Sequence, residues 1–458
     1  MASESIYWYF VLLTFIYIFF KNYKSYIKVL IIMCFYSGLA AFFGKAFENP
    51  YKIVLVLLSI YVLQMNNALV GLSKKQSFLI FVFILFSISF FYSAVVNGDY
   101  FTLTFSQYGK YVTPICLFFI INRILINDQG SFVNLKYLIF SLLTIQILLS
   151  VVKILTIGLQ ETTVGSIAYI GGGPAAMLPV LGFIFLWIDK KGDLKRKDWS
   201  YTILLFFIGL ASLKRAVLFI MPAFILLFMY YVPGRVKTKK LVLILSLIPL
   251  IFYVGVRLNP TLNKEGRLGG SFDLQYVLGF TREYSFGKTS DKNNTHISTG
   301  RGGATLSLWN KLTSSQSLSF NDYWGFGLQE VYTTDYEQFN NEKYGVNSKG
   351  SVTGIFQSYI SSGYVGVILT ILLIISIISL IREPRIRNTI ALLMFWDYLF
   401  YSGLILRTQS LFILIFFIII YSNQRYEQRL HNKYQIQNQW HRNEKYNLEQ
   451  NDNYYSRT

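Results

Sequence analysis

The chain has little charge. Asp, Glu, Lys and Arg make up 14% of its 458 residues, against about a quarter in soluble domains. This excludes an ordinary soluble globular protein. There are two cysteines and three histidines. Cys34 and Cys116 lie inside apolar runs and make no CxxC pair, so there is no disulfide framework. His296, His431 and His441 are far apart and lack ligand spacing, so no His/Cys metal site and no cofactor is expected. Acidic residues number 23 against 42 basic ones, a formal net charge of +19. That excess sits in short connectors and not on a soluble basic stripe, so no nucleic-acid partner is expected. It fits the positive-inside bias of membrane proteins, with attraction to anionic membrane lipid as an addition.

What abounds is hydrophobic sequence, 53% of the residues. Runs near the length needed to cross a bilayer core recur along the chain. They fall roughly at 5–20, 29–44, 51–68, 77–95, 109–125, 136–157, 173–189, 199–212, 216–232, 241–257, 356–381, 388–403 and 408–422. The expected fold is therefore an all-α polytopic integral membrane protein with about 12–13 transmembrane helices. It divides into an N-terminal bundle (1–257), one large polar loop (258–355), C-terminal helices (356–422) and a polar tail (423–458). The tail has little apolar periodicity and is expected to be disordered or interfacial. The apolar stretch Ser5–Phe20 precedes Lys21, Lys24 and Lys28, the reverse of a signal peptide's charge order. It is expected to be a first span with its N-terminus outside.

The connectors alternate in charge. Lys74/Lys75, Arg123/Lys136, Lys190 to Lys197, Arg235 to Lys240 and Arg382/Arg385/Arg387 fall on one side with the first lysines. Glu48-Asn-Pro, Asn97-Gly-Asp and Glu161-Thr-Thr fall on the other. By the positive-inside rule the first set is cytoplasmic and the large loop extracytoplasmic. This parity requires two long apolar stretches to fold back. Trp199–Val232 as one helix would be about 51 Å long, too long for a core of about 30 Å. Thr389–Tyr421 poses the same problem and holds Gly403 and Arg407 at its mid-point. Lys214, Arg215 and Arg407 then lie at the outer ends of short spans, where positive charge is disfavoured unless it has a use. Lys153, Arg123 and Asp397 are the other deep charges.

The loop contains Ser298-Thr-Gly-Arg-Gly-Gly-Ala-Thr-Leu-Ser-Leu-Trp-Asn-Lys-Leu312. Thr299 can cap a helix starting near Arg301, whose buried face would carry Thr305, Leu308, Trp309 and Leu312. Arg301 then projects from a helix N-terminus, already favourable to an anion. The run Gly171-Gly-Gly-Pro174 reads better as the flexible opening of a span than as a phosphate cradle. Two further motifs follow in the loop, Tyr323-Trp-Gly-Phe-Gly-Leu328 and Gly350-Ser-Val-Thr-Gly-Ile-Phe-Gln-Ser-Tyr-Ile-Ser-Ser-Gly-Tyr-Val-Gly366.

In this order the motifs resemble the O-antigen polymerase and ligase family of bacterial membranes, and Ser212-Leu-Lys-Arg-Ala-Val217 resembles that family's Ser-Arg pair. The resemblance covers 199–232 and 296–380. One departure stands out. The family's ligases carry a His-Asn pair where this chain has Ser351, Val352 and Thr353, which favours a polymerase.

The resemblance implies a GT-C-like fold in the bacterial inner membrane and a polyprenyl-diphosphate-linked oligosaccharide as substrate. It further implies a glycosyl transfer, with a chain-length regulator and a flippase as candidate partners; no metal-ligand cluster is evident in the sequence, so the transfer is expected to be metal-independent. A diphosphate leaving group gains charge in the transition state, and fixed guanidinium groups suit it. Arg215 and Arg301 are the first candidates for this role, with Lys214 and Arg407 in support. Asp397 is a candidate for proton transfer, with Glu283, Asp335 and Glu337 as other carboxylates. Arg282, Trp309, Tyr323 and Trp324 are candidate sugar or phosphate contacts. The competing expectations are a ligase and a lipid-linked oligosaccharide flippase or transporter.

Overall fold

The computed structural model describes residues 8–9, 11–14, 23–159, 165–167, 173–213, 215–231, 238–286, 305, 308–310, 312–313, 318–332 and 353–455. The described residues are helical, without a strand. In chain order the helices are α1 (Tyr23–Phe35), α2 (Ser37–Phe42), α3 (Lys45–Met65), α4 (Lys74–Val96), α5 (Phe101–Asn127), α6 (Gln129–Ile157), α7 (Gly173–Asp189), α8 (Arg196–Ala211) and α9 (Arg215–Tyr231). They continue with α10 (Thr238–Leu258), α11 (Leu274–Phe286), α12 (Phe320–Trp324), α13 (Leu328–Tyr332), α14 (Gly354–Ser379), α15 (Pro384–Phe400), α16 (Leu404–Arg407) and α17 (Gln409–Tyr455). Four of them, Ala46–Met65, Lys74–Val96, Gly130–Ile157 and Gly354–Ser379, are long and apolar enough to cross a membrane. The chain is a helical membrane protein.

Two helices form the centre. Every residue of α7 from Pro174 to Ile188 is buried, and so is α17 from Leu411 to Tyr421. A helix that is apolar all round has no face to give to water and packs inside. The two meet through Phe185, whose ring lies 6.3 Å from Phe417 and 6.0 Å from Tyr421. In hydrocarbon, burial of leucine against leucine gains little, so helix association depends on close packing. Gly109 lets Val56 of α3 approach α5, where an added Cβ would lie 2.7 Å from its methyl. Outer helices keep apolar faces exposed, as at Phe81, Ile84 and Ile88 of α4 and Leu148, Val152 and Leu155 of α6.

Both long apolar stretches are broken where folding back was expected. α8 stops at Ala211, Leu213 turns the chain with φ +53°, and Asn259 donates to the Leu213 carbonyl at 2.6 Å. α15 stops at Phe400, and α16 and α17 follow. Two expectations need correction. The span at 29–44 is two helices parted at Tyr36, because the backbone there is diverted: Gly38 N–H donates to the Ser166 carbonyl at 2.9 Å and Ser37 to that of Ile167 at 3.3 Å. The tail is not irregular either, since α17 continues unbroken to Tyr455. Its start is pinned. Asn423 donates to the Leu380 carbonyl at 2.8 Å, and Arg425 and Arg429 reach Asp189 and Glu383 at 3.9 and 3.3 Å.

The basic connectors collect at one end. Lys74, Lys75 and Arg382 line one cleft there with Asn423 and Glu427, and Asp189 draws Lys136 and Lys190 to 3.2 and 3.4 Å. The turn 97–99, the loop helices α12 and α13, and the segment 401–407 gather at the other end, around the first turns of α14.

Candidate functional site

The site is organised by a kink in α14. At Ser362 (φ −147°, ψ 15°) and Gly363 (φ 64°, ψ −165°) the backbone leaves the helical region. A straight helix would pair each carbonyl with the N–H four residues on. Here the carbonyls of Ile360 and Ser361 turn to other segments. Phe326 N–H donates to Ile360 at 2.7 Å, and the Ser93 hydroxyl of α4 donates to Ser361 at 2.6 Å. The loop backbone enters the gap so closely that a Cβ on Gly363 would lie 2.2 Å from the Tyr323 carbonyl carbon. A Cβ on Gly325 (φ +89°) would lie 2.5 Å from Ser362 N. The Gly-x-Gly of the loop and the Ser-Gly of α14 are thus two halves of one joint.

Three carboxylates hold the parts in place. Asp322, buried, accepts from the backbone N–H and hydroxyl of Ser319, both at 2.8 Å, and from the Tyr359 hydroxyl of α14. Asp99, in the α4–α5 turn, caps α13 from outside by accepting from the N–H groups of Leu328 (2.7 Å) and Gln329 (2.9 Å). Burial pushes the Asp99 carboxyl above its usual range, against the pull of those two donors. Asp397, 1% exposed, accepts from Ile405 N–H at 2.7 Å, and its carbonyl accepts from Gly403 at 2.9 Å. It shapes the turn that carries Arg407. Gly354 N–H donates to the Tyr401 carbonyl at 2.9 Å, which lays that turn on the start of α14.

Between these parts lies a cavity of about 30 Å³ lined by Phe90, Gln107, Lys110, Gln357, Ser361 and Arg407, among others. Arg407 donates to the Gln357 side chain and to the Ser402 carbonyl at 3.2 Å. Lys110 donates to the Gln107 amide at 2.5 Å. Gln409 ties α17 to the Gly109 carbonyl at 2.9 Å. Two basic side chains from distant parts of the sequence therefore share one recess under the loop.

Of the residues singled out from the sequence, Arg407 lies in this recess and Asp397 directly supports it. Arg215 begins α9, two residues after Leu213; its side chain lies outside the described residues, as do Lys214 and Arg301. Glu283 has only its backbone described, and Asp335 and Glu337 lie outside the described residues. Arg282 is exposed on α11. Tyr323 is 47% exposed with its backbone wedged at Gly363. Trp324 packs edge-on against Tyr92, ring centres 4.6 Å apart.

The expected buried face of the 301–312 helix is narrower than its spacing suggested. Leu308 is buried and Thr305 half-buried, but Trp309 and Leu312 are 63% and 45% exposed. The contacts run through Thr305, which donates to the Leu399 carbonyl at 2.9 Å, and through the Leu308 carbonyl, which accepts from Tyr364 at 3.1 Å. Trp309, about 100° further round the helix, points away from them.

Lys110 is the residue that reading the sequence missed. A span beginning at 109 left it at a boundary. The helix starts at Phe101, so Lys110 sits about two and a half turns inside. The available signal was its neighbour: a Gln and a Lys three apart, within an apolar run, form one polar face.

No protein-family model matches this chain, and no curated protein matches it.

Proposed function

We propose that the chain is a membrane glycosyltransferase that joins polyprenyl-diphosphate-linked oligosaccharide repeat units into a surface polysaccharide. The carrying observation is the shared recess of Lys110 and Arg407 beneath the docked loop. Arg407 is the fixed charge of this site and Lys110 a second nitrogen donor from a separate helix, an arrangement that suits a leaving group that gains negative charge. In this reaction a sugar hydroxyl of the incoming unit attacks the anomeric carbon of the growing chain. The carbon–oxygen bond to the diphosphate breaks, the hydroxyl proton passes to a base, and polyprenyl diphosphate leaves. At about 30 Å³ the recess has room for about one water, so it admits a single phosphate oxygen at most and leaves the rest of the diphosphate and the sugars to the loop side. Arg215 and Arg301, with Lys214 in support, are the further cations assigned to the clamp from the sequence. Trp309, Tyr323 and Arg282, all exposed on the loop, are its sugar-facing contacts. Asp397 acts through Arg407 as a positioning residue. Metal plays no part in this reading.

The reading places the protein in a bacterial inner membrane with about 12–13 spans in a GT-C-like arrangement and the loop outside. The neutral-to-acidic turn at 97–99 meets the loop, while the basic connectors meet one another at the far end, as that orientation requires.

The test is deletion of the gene, with surface glycan sized on a gel. Loss of long chains with single repeats retained supports a polymerase. Full-length glycan left on its carrier makes the protein a ligase, and loss of all surface glycan makes it a flippase. Restoring the gene as Arg407→Ala or Lys110→Ala should lower polymer about 100-fold or more, with the protein still inserted in the membrane. Normal chain length in both variants would remove the recess from the reaction.

A further inference from the structure

At the end far from the loop, α5 turns into α6 through Asn127 and Asp128, and α1 and the end of α3 lie against this corner. Between them is a cleft of about 310 Å³ lined by Lys28, Asn66, Arg123, Asn127, Asp128, Ser131 and Asn134, among others. The Arg123 Nε is buried and has no hydrogen-bond partner among the described residues. Lys28 is exposed at the rim. Asp128, the carboxylate at the corner, accepts from the N–H and hydroxyl of Ser131 at 3.0 and 2.7 Å, so it serves as the cap of α6.

A buried guanidinium nitrogen without an acceptor is rare, because buried polar groups are almost always paired. Arg123 itself lines a roomy cleft of mixed polar and apolar walls, where its guanidinium can meet an acceptor from outside the chain. A cationic fork, a mobile ammonium and several amides match the oxygens of a phosphate. The space is several times the share of a single water, enough for a phosphate with a small polar group attached. Next to Asn134, Val133 and Tyr137 of α6 are exposed, so the cleft borders apolar outer surface. It also lies at the end where the basic connectors collect, where anionic lipid concentrates under the positive-inside orientation.

We propose that this cleft binds a phosphate-bearing ligand at the membrane surface, with Arg123 as its fixed contact and Lys28 as its mobile one. The site is separate from the recess of Lys110 and Arg407 and does not depend on the reaction assigned there. Two sources share this chemistry, the headgroup of an anionic phospholipid and free phosphate.

The test uses the full-length protein in uncharged detergent, with phosphatidylglycerol, phosphatidylcholine and inorganic phosphate as probes. Binding is read by native mass spectrometry and by the shift in unfolding temperature. Phosphatidylglycerol retained in preference to phosphatidylcholine, with about tenfold weaker retention in Arg123→Gln and Lys28→Gln and recovery in Arg123→Lys, establishes a lipid site. The same pattern with inorganic phosphate alone establishes a free-phosphate site. Equal retention by wild type and both variants, or no retention of either anion, overturns the proposal. Lys28 is exposed, so Lys28→Gln keeps the test valid if Arg123→Gln does not fold.

Discussion

The two ends of this molecule use their acidic residues differently. At the loop end Asp99, Asp322 and Asp397 accept from backbone N–H groups and hydroxyls. Each fixes the path of a chain segment. At the opposite end Asp189, Glu383 and Glu427 face Lys136, Lys190, Arg425, Arg429 and Arg382. Those carboxylates offset the positive charge of the connectors. A capping carboxylate has direction, because its donors point along a helix axis. The exposed pair Arg382–Glu427 has little, because long side chains move and water screens them. The difference teaches that the loop end uses its carboxylates to fix where three segments meet the kink in α14, and that the far end adds charge balance to caps such as Asp128.

The sharpest way to break the comparison is Gly363→Ala. Its φ of +64° and the Tyr323 carbonyl carbon 2.2 Å from the added Cβ leave the methyl no place. The joint should weaken by about 1–3 kcal/mol from backbone strain alone, and protease cleavage within 318–332 should rise while α7 and α17 stay protected. Unchanged cleavage would mean that the loop does not rely on the kink. A smaller effect is expected from Asp99→Asn. Losing a charged cap of α13 should cost about 1 kcal/mol, seen as faster hydrogen exchange at Leu328 and Gln329. The smallest belongs to the far end. Glu427→Gln removes the partner of Arg382 in a pair exposed on both sides, and should change stability by less than about 1 kcal/mol, with the difference vanishing in high salt. A larger loss there than from Asp99→Asn would reverse the contrast between the ends.

Much of this was legible in particular residues. The length of Trp199–Val232, with its charges at mid-point, demanded a break, and the chain turns at Leu213. Arg407 was conspicuous as a cation beside Gly403 in an apolar run, and it lines the recess. The Gly-x-Gly of 325–327 announced a close approach without saying to what. Lys110 was harder to see, because a lysine near a helix end and one deep within it look alike until the helix start is known. The continuation of α17 through the polar tail was not visible in periodicity. Its first polar turns are held by contacts that Asn423, Arg425 and Arg429 make with residues far away in sequence.

Sequence alone determined that this is a helical membrane protein, because runs of apolar residues near bilayer length admit no other way to satisfy the backbone. It also determined the sorting of basic and acidic connectors, since charge is carried by residue type and its order along the chain is read directly. Only the tertiary structure decided that Phe326 would take the carbonyl freed at Ile360, and that Lys110 and Arg407, about 300 residues apart, would share one recess. Those pairings rest on a kink angle and on which helix faces meet, and neither is written in the period of a hydrophobic pattern.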